Sequence, residues 1–444
     1  MALTGVEIFK MLPKTNCKKC GFPTCLAFAM KLAQRQASIE SCPDVSADVK
    51  AQLGEAAAPP VKTIVIGSGD KAIKLGDETV MFRHEKKFVN PCAFAVEIKD
   101  TASEADIKAT VADVVASEME RVGQKLRIDM VCITNASGDA AKFAAAAKAV
   151  AAAAPSLPVM LSTSSADAAK AALAAFAGKK PVLHGANASN LDAMTAAAKE
   201  AGATLGVAGT LEELSELTEK VKAAGVADMV LDTNAKTAGQ MLKDNTLVRR
   251  AAIKKTFKPL GYPVVSFAQR DDAMLETLVA SVGIAKYSSI IVMSSVQRWK
   301  SLALFTLRQN IYTDPQVPMQ VEQKIYKIGD VTDKSPLLIT TNFSLTYFIV
   351  SGEVENSKVP TRLAVMDCEG LSVLTAWAAG KFTAGKIAQF IKDSGVENEM
   401  ATKELTLPGY VAILSGALED KLEGWKIIVG PREANQLPVY LKSK

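Results

Sequence analysis

Four cysteines near the start of the chain constrain it more than any other feature. Cys17, Cys20, Cys25 and Cys42 follow the spacing C-x2-C-x4-C-x16-C, with Gly21 directly after Cys20 and Pro43 directly after Cys42. Three closely spaced thiolates on one turn can hold three irons, and the fourth arrives from the end of the next helix. Soft thiolates select iron–sulfur clusters, zinc or copper. Zinc sites usually use two separated C-x2-C pairs, and only one pair is present here. A proline after the last ligand is also a habit of bacterial ferredoxins. The spacing therefore favours a [4Fe–4S] cluster on Cys17, Cys20, Cys25 and Cys42 over zinc or buried structural thiols. Lys14, Lys18 and Lys19 surround the motif. They are either plain solvation or a docking patch for an acidic electron donor.

The rest of the composition excludes several classes. Seven cysteines in 444 residues make no disulfide scaffold, and Cys92, Cys132 and Cys368 are scattered. The net charge of +5 is small, and no basic stripe is interleaved with aromatics, so nucleic-acid binding is not indicated. No uncharged apolar run is long enough for a membrane span. The first residues lack the pattern of a signal peptide, so a cytoplasmic protein is expected. Only His84 and His184 are histidines, which limits any mechanism that needs an imidazole.

Thr4-Gly5-Val6-Glu7 has the form of a capping box ahead of a short helix, and Thr24 can cap a second one. Ala56-Ala57-Ala58-Pro59-Pro60 reads as a linker closing a small first domain at residue 58. A domain of that size needs a metal staple. A hairpin is expected at Val61–Ile66 and Thr79–Arg83. Eight short apolar runs follow: Phe94–Ile98, Met130–Thr134, Val159–Ser162, Val182–His184, Thr204–Val207, Met229–Leu231, Val264–Phe267 and Ile290–Met293. Helical stretches such as Ala140–Ala153 and Ala166–Ala177 separate most of them, which predicts a (β/α)8 TIM barrel over residues 59–322. A third segment, 323–444, repeats the alternation on a smaller scale. Its strands are expected at Leu337–Thr341, Leu363–Asp367, Val411–Leu414 and Lys426–Val429, in a doubly wound, Rossmann-like sheet. The fold class is α/β multidomain.

The run Asn16 to Ala29, with Ser41-Cys42-Pro43, resembles the iron–sulfur domain of the large (gamma) subunit of the corrinoid iron–sulfur protein. That family belongs to the carbon monoxide dehydrogenase/acetyl-CoA synthase pathway. The resemblance extends through the Ala-Ala-Ala-Pro-Pro linker, the strand Phe94–Lys99 and the segment Leu338–Thr346. It implies a heterodimer with a small barrel subunit, the two together holding a base-off, cobalamin-type corrinoid. It implies that Co(I) takes a methyl group from methyltetrahydrofolate through a separate methyltransferase. Methyl-Co(III) then delivers that group to acetyl-CoA synthase. The [4Fe–4S] cluster, fed by a low-potential electron donor or reductive activator, returns stray Co(II) to use. The chain is thereby a methyl carrier of the reductive acetyl-CoA (Wood–Ljungdahl) pathway rather than a free-standing catalyst. Two other readings stay open: a barrel methyltransferase that binds the pterin itself, and an electron-transfer subunit without cobalt.

Ligands of open α/β sheets sit at the carboxyl ends of the strands. That rule, with the resemblance, nominates Thr340, Asn342 and Thr346 after the first strand of the third segment. It nominates Gly370, Leu371, Ser372, Val373 and Thr375 after the second, and Gly416, Gly430, Pro431, Arg432 and Glu433 after the last two. Small hydroxyl and glycine positions suit a corrinoid, whose rim carries amides and whose tail carries a phosphate. The family of cobalamin proteins with a D-x-H-x-x-G motif ligates cobalt through its histidine, and no histidine follows His184 here. In the barrel, Glu97, Asn135, Asn187, Asp232 and Asn234 fall at strand ends. Asp232-Thr233-Asn234 resembles a pterin-binding corner, read here as inherited and unused. Cys92, Cys132, His184 and Cys368 are read as core.

Overall fold

A computed structural model describes residues 4–33, 37–46, 49–50, 53, 59–122 and 124–443. Two compact units divide the chain. One comprises Met1–Glu118 with Arg127–Tyr312, the other Met119–Leu126 with Thr313–Lys444.

At the N-terminus the capping box forms as the sequence requires. The Thr4 hydroxyl accepts from Glu7 N, and the Glu7 carboxylate accepts from Thr4 N at 2.7 Å, opening the helix Gly5–Met11. A second helix, Cys25–Ala33, starts where the Thr24 hydroxyl accepts from Ala27 N at 3.0 Å. Both helices pack on a small core of their own, built from Ile8, Leu12, Phe28, Ala29 and Leu32 together with Cys25 and Cys42. The linker alanines Ala56–Ala58 lie outside the described residues.

The barrel follows. A short antiparallel hairpin, β1 (Ile64–Ile66) with β2 (Ile73–Leu75), precedes it. The hairpin's second strand was expected at Thr79–Arg83, but that stretch is irregular. Its polar groups serve long-range bonds instead: the Arg249 guanidinium donates to Val80 O and to the Glu78 carboxylate, inside a sandwich of Phe88 and Tyr287 rings. The barrel strands are β3 (Ala93–Lys99), then, after the hairpin β4 (Met119–Arg121) and β5 (Gln124–Leu126), β6 (Met130–Thr134), β7 (Val159–Ser162), β8 (Val182–Ala186), β9 (Thr204–Ala208), β10 (Met229–Asp232), β11 (Val264–Phe267) and β12 (Ser288–Met293). They close in the order β10-β11-β12-β3-β6-β7-β8-β9, every pair parallel. The eight apolar runs of the sequence are these strands: β-branched runs alternating with amphipathic helices are buried on both faces in a parallel sheet, which here closes into a barrel.

Inside the barrel, Ala93, Ala95, Met130, Cys132, Met160, Val182, Val230, Val265, Ile290 and Val292 form one apolar cluster with Ile64, Ile66 and Leu75 of the hairpin. Strand side chains alternate, so the next inward positions toward the carboxyl ends are Glu97, Thr134, Ser162, His184, Asp232 and Phe267. Cys92 and Cys132 are packing residues, and burial pushes both thiols up to about 12.

The hairpin β4–β5 leaves the barrel sequence and belongs to the second unit. Its Val122, with φ of 53°, sits in an apolar cluster with Val321, Leu338, Val354, Leu363, Val365, Leu437 and Leu441. A β-branched residue with positive φ is rare, and here core burial holds it there. The second unit's sheet has five strands: β13 (Lys324–Ile328), β14 (Leu337–Thr341), β15 (Thr361–Met366), β16 (Glu404–Leu407) and β17 (Lys426–Val429). Their order is β13-β15-β14-β16-β17, with β13 antiparallel and the rest parallel.

Helices cover both faces, so successive strand residues serve different cores. Leu337 and Ile339 join one cluster and Leu338 joins the other. The strand expected at Val411–Leu414 is instead a short 3-10 segment, Gly409–Leu414, and the strand is the less apolar Glu404–Leu407. Pro408-Gly409 ends that strand, and Ile413, 76% exposed, has no sheet face to bury. Among the described residues no helix is long and apolar enough to cross a membrane.

Candidate functional site

The parallel strands of the second unit run β15-β14-β16-β17, so the chain direction of travel reverses between β14 and β16. Their carboxyl ends open a crevice at that point, where helices leave for opposite faces. A cleft of about 190 Å³ occupies it. Leu338, Ile339 and Thr340 of β14 form one wall, Thr406 and Leu407 of β16 another. Thr346, Ile349 and Val350 of the helix Ser344–Ser357 and the turn Gly430–Ala434 close the sides.

Of the residues nominated from sequence, Thr340, Thr346, Val373, Gly430, Pro431, Arg432 and Glu433 line this cleft. Gly430 has a steric reason to be glycine: a Cβ there would lie 2.8 Å from Thr406 Cγ2 and 3.0 Å from Leu407 O. Thr340 is 2% exposed, and its Oγ1 has no hydrogen-bond partner among the described residues. A buried hydroxyl without a partner is costly and points to a ligand group that completes it.

Asn342, Gly370, Leu371, Ser372, Thr375 and Gly416 do not line the cleft. Asn342 and Gly370 are buried in a loop clamp, and Leu371 packs against the sheet's core. Ser372 and Thr375 open the helix Val373–Ala378 with their hydroxyls 3.0 Å apart, Thr375 exposed. Gly416 is exposed on the helix Ser415–Glu419. Cys368 is buried, its thiol pushed up to about 12 mainly by burial.

Sequence reasoning missed Pro408 and Tyr410. Tyr410 donates to the Glu433 carboxylate, joining the turns after β16 and β17, and that carboxylate raises the phenol above its usual value. The Pro-Gly-Tyr turn was the available signal, hidden by the misplaced strand. The elements framing the cleft also expose Leu345, Phe348, Ile349, Leu374, Trp377 and Ile413. That is more apolar surface than water-facing helices of a small sheet normally carry.

In the N-terminal module, Cys17 is exposed, Cys20 half-buried, and Cys25 and Cys42 buried. Left-handed residues Lys14, Asn16, Lys18 and Gly21 coil the loop that carries the first two. Asn16 ties its two ends together: its backbone N donates to Cys25 Sγ at 3.3 Å, and its Oδ1 accepts from Cys25 N at 2.7 Å. Cys20, Cys25 and Cys42 all abut the same small core. The four thiols do not form a closed cage: among the described residues, no group of three or more His, Cys, Asp or Glu side chains is drawn together as a metal site. The donor set and its loop fit an iron–sulfur cluster, whose binding is itself part of the folding of so small a module. Lys19 pairs with Asp44 at 3.1 Å, which lifts the ammonium's pKa, and Lys14 and Lys18 are exposed.

Two findings from comparison bear on both sites. The family model described as CO dehydrogenase/acetyl-CoA synthase delta subunit matches residues 63–441, and an Fe–S cluster family model matches residues 12–43. The corrinoid/iron–sulfur protein large subunit of Moorella thermoacetica is 45% identical over 444 residues, covering 100% of this chain and 99% of that one. The chain belongs to the corrinoid/iron–sulfur protein large-subunit family. More distant members agree in length. The acetyl-CoA decarbonylase/synthase complex gamma subunits of Methanothermobacter thermautotrophicus and Methanopyrus kandleri are 34% and 33% identical, and the matches cover 99% and 100% of this chain and 99% and 98% of theirs.

In this large-subunit family member the barrel carries a polar layer of its own. His184 bonds Ser162 Oγ through Nδ1 and Asp232 Oδ2 through Nε2, each at 3.0 Å, beside the Phe267 ring. Thr134 donates to Glu97 at 2.9 Å. His184 is thus buried as expected but in a polar chain rather than an apolar core. Asp232 also accepts from Asn234 N, and Asn135 donates to Thr163. Asn187 accepts from Ser189 N and its Oγ, capping its own loop.

Proposed function

We propose that the chain is the methyl-carrying large subunit of a corrinoid iron–sulfur protein, serving the reductive acetyl-CoA pathway. The observation that carries this reading is the cleft at the switch point of the second unit, with the buried, unpartnered Thr340 hydroxyl in its wall. A bound corrinoid supplies a cobalt that accepts and gives up the methyl group, and the [4Fe–4S] cluster supplies the electrons that restore it.

The chain's own residues do the rest. Cys17, Cys20, Cys25 and Cys42 hold the cluster. Thr340, Thr346 and Thr406 offer hydroxyls, Arg432 a cation, and Ile349, Val350 and Leu437 apolar wall, to a ligand with amide, phosphate and ring portions. Gly370, Leu371, Ser372, Thr375 and Gly416 belong to the outer frame of the same site. In functional terms residues 1–58 deliver electrons, the rest of the first unit up to Tyr312 forms the barrel, and the second unit, Met119–Leu126 with Thr313–Lys444, holds the corrinoid.

A broad ring with apolar faces cannot be covered by one small sheet, and the exposed side chains around the cleft fit a second protein surface. The partner is the small subunit, within a carbon monoxide dehydrogenase/acetyl-CoA synthase assembly. A methyltetrahydrofolate methyltransferase and a low-potential electron donor or activator are the transient partners, all in the cytoplasm.

Metal analysis of the purified complex tests this reading. About one cobalt and roughly four irons per chain are expected, four irons being the content of a cubane. Iron without cobalt would reduce the chain to an electron-transfer subunit. Turnover of methyltetrahydrofolate with no methyltransferase added would favour the barrel enzyme instead.

Thr340→Val gives a second check at the cleft. It removes a hydroxyl that has no partner among the described residues, so the corrinoid-free chain should lose no stability. Corrinoid affinity should fall roughly tenfold, the cost of one buried hydrogen bond. Unchanged affinity in an equilibrium titration would remove Thr340 from the site.

A further inference from the structure

Asn342 follows β14 directly and is 2% exposed, yet it does not line the cleft. Every hydrogen-bonding capacity of its carboxamide is used. Nδ2 donates to Asp367 Oδ1 at 2.9 Å and to Gln320 Oε1 at 3.2 Å. Oδ1 accepts from Cys368 N at 2.9 Å and from Gly370 N at 3.1 Å. An amide so saturated has nothing left for a ligand.

What it holds is a loop in an unusual shape. Glu369 and Gly370 are consecutive left-handed residues, with φ of 57° and 72°. Gly370 is also closely packed: a Cβ there would lie 2.8 Å from Gln320 Cγ and 3.0 Å from Pro318 O. Left-handed backbone costs free energy at a non-glycine residue such as Glu369, so the loop persists only if something outside it dictates its course. Asn342 does so from one strand over, and Asp367 Oδ1 completes the turn by also accepting from Glu369 N at 2.9 Å. The loop then launches the helix Val373–Ala378, where Ser372 and Thr375 pair their hydroxyls.

We infer that Asn342 is a positioning residue: it templates the Asp367–Gly370 loop and through it sets the start of the helix Val373–Ala378, whose Val373 lines the cleft. The inference rests on the methyl-carrier reading for its ligand, but its structural half stands alone.

The test uses the full chain assembled with its small subunit, freed of corrinoid and titrated with cob(II)alamin by absorbance. Asn342→Asp keeps both N–H acceptors and sets an oxygen against Asp367. It should weaken binding roughly tenfold, as for one buried hydrogen bond turned repulsive, and speed amide hydrogen exchange over residues 367–372. Adding Asp367→Asn restores a donor between the two positions. It should return affinity to within about threefold of the parent and slow exchange again, the signature of coupled neighbours. If Asn342→Asp weakens binding while exchange is unchanged and Asp367→Asn gives no rescue, Asn342 contacts the ligand directly and the inference is overturned. If Asn342→Asp does not fold, Gly370→Ala, which leaves Asn342 intact, must reproduce the loss of affinity and faster exchange; normal binding there also overturns it. Failure of the parent complex to bind cob(II)alamin at all would instead strike the methyl-carrier reading, leaving the exchange result to judge the clamp.

Discussion

Replacing any one of Cys17, Cys20, Cys25 or Cys42 with alanine is expected to strip the iron and abolish electron delivery to cobalt. Methylation of cobalt that has been reduced chemically beforehand should persist. The physical basis is the separateness of the module. Its core is built from residues between Ile8 and Leu53 alone, and the second unit's cleft is lined by residues from Leu338 onward. A cubane held by three thiolates is open to loss of an iron, and a module this small depends on its metal to fold. Iron content should fall from roughly four per chain to near zero for these variants. Reactivation of Co(II) should fall by about a hundredfold or more, since no other redox group described in the chain replaces the cluster. Cys25→Ala and Cys42→Ala should be the most damaging to the module's folding, because both side chains are buried in that core, whereas Cys17 is exposed. The measurements are iron analysis, the rate of Co(I) formation with a chemical donor, and methyl uptake by pre-reduced protein. Loss of methyl uptake along with the cluster would mean that the two sites are not functionally separable, and would sink the assignment of roles.

The second large effect is spectroscopic. Co(II) in the complex should show no superhyperfine splitting from an axial nitrogen, either from this chain or from the corrinoid's own base. The only histidines, His84 and His184, lie in the first unit, and His184 is engaged on both ring nitrogens. Lys381, Lys386 and Asn342, nitrogen-bearing residues of the cleft frame, are each engaged within the chain. Lys381 pairs with Glu369 at 2.5 Å, which raises its pKa and keeps it protonated through neutral pH. Lys386 donates to Gly380 O at 3.3 Å. The Asn342 amide is saturated within the loop. The hydroxyl of Thr375 is a weak, neutral ligand at best. Without a strong lower ligand, the cobalt orbital that accepts the electron drops in energy, so Co(II) is easier to reduce. That suits a carrier that must return repeatedly to its most reduced state. A three-line axial nitrogen pattern in the electron paramagnetic resonance spectrum would rule this out and would weaken the argument that the second unit is built for easy reduction.

Much of this protein was legible in its sequence because the signals are local. Capping at Thr4–Glu7, the cysteine spacing and the eight β-branched runs each depend on residues within one element, and each run became a barrel strand. That a cleft lies at the carboxyl ends of the second unit's strands was legible one level up, since an open α/β sheet opens its crevice there. The roles within that crevice were not. Asn342 reads in sequence as a polar residue at a strand end, the natural position for a ligand contact. Its four partners are 22 to 28 residues away, and only the meeting of β14 with the loop after β15 shows that they exhaust it. Thr340, two residues earlier and equally polar, is left unpartnered among the described residues and lines the cleft.

The same division holds elsewhere. Val411-Ala412-Ile413-Leu414 has the better strand composition, but Glu404–Leu407 has the neighbour to pair with, because Leu405 and Thr406 register against Leu337 and Leu338. Val122 sits within the barrel's stretch of sequence but is buried in the core of the other unit, a placement no local pattern encodes. His184 reads as one polar residue on an apolar strand, and closure of the barrel supplied Ser162 and Asp232 to its two nitrogens. Sequence by itself determined which segments could be strand, helix or cluster loop, since those are set by periodicity, capping and donor softness over a few residues. Tertiary structure decided which polar groups were spent on the protein and which remained for a ligand, since that depends on partners brought from distant parts of the chain.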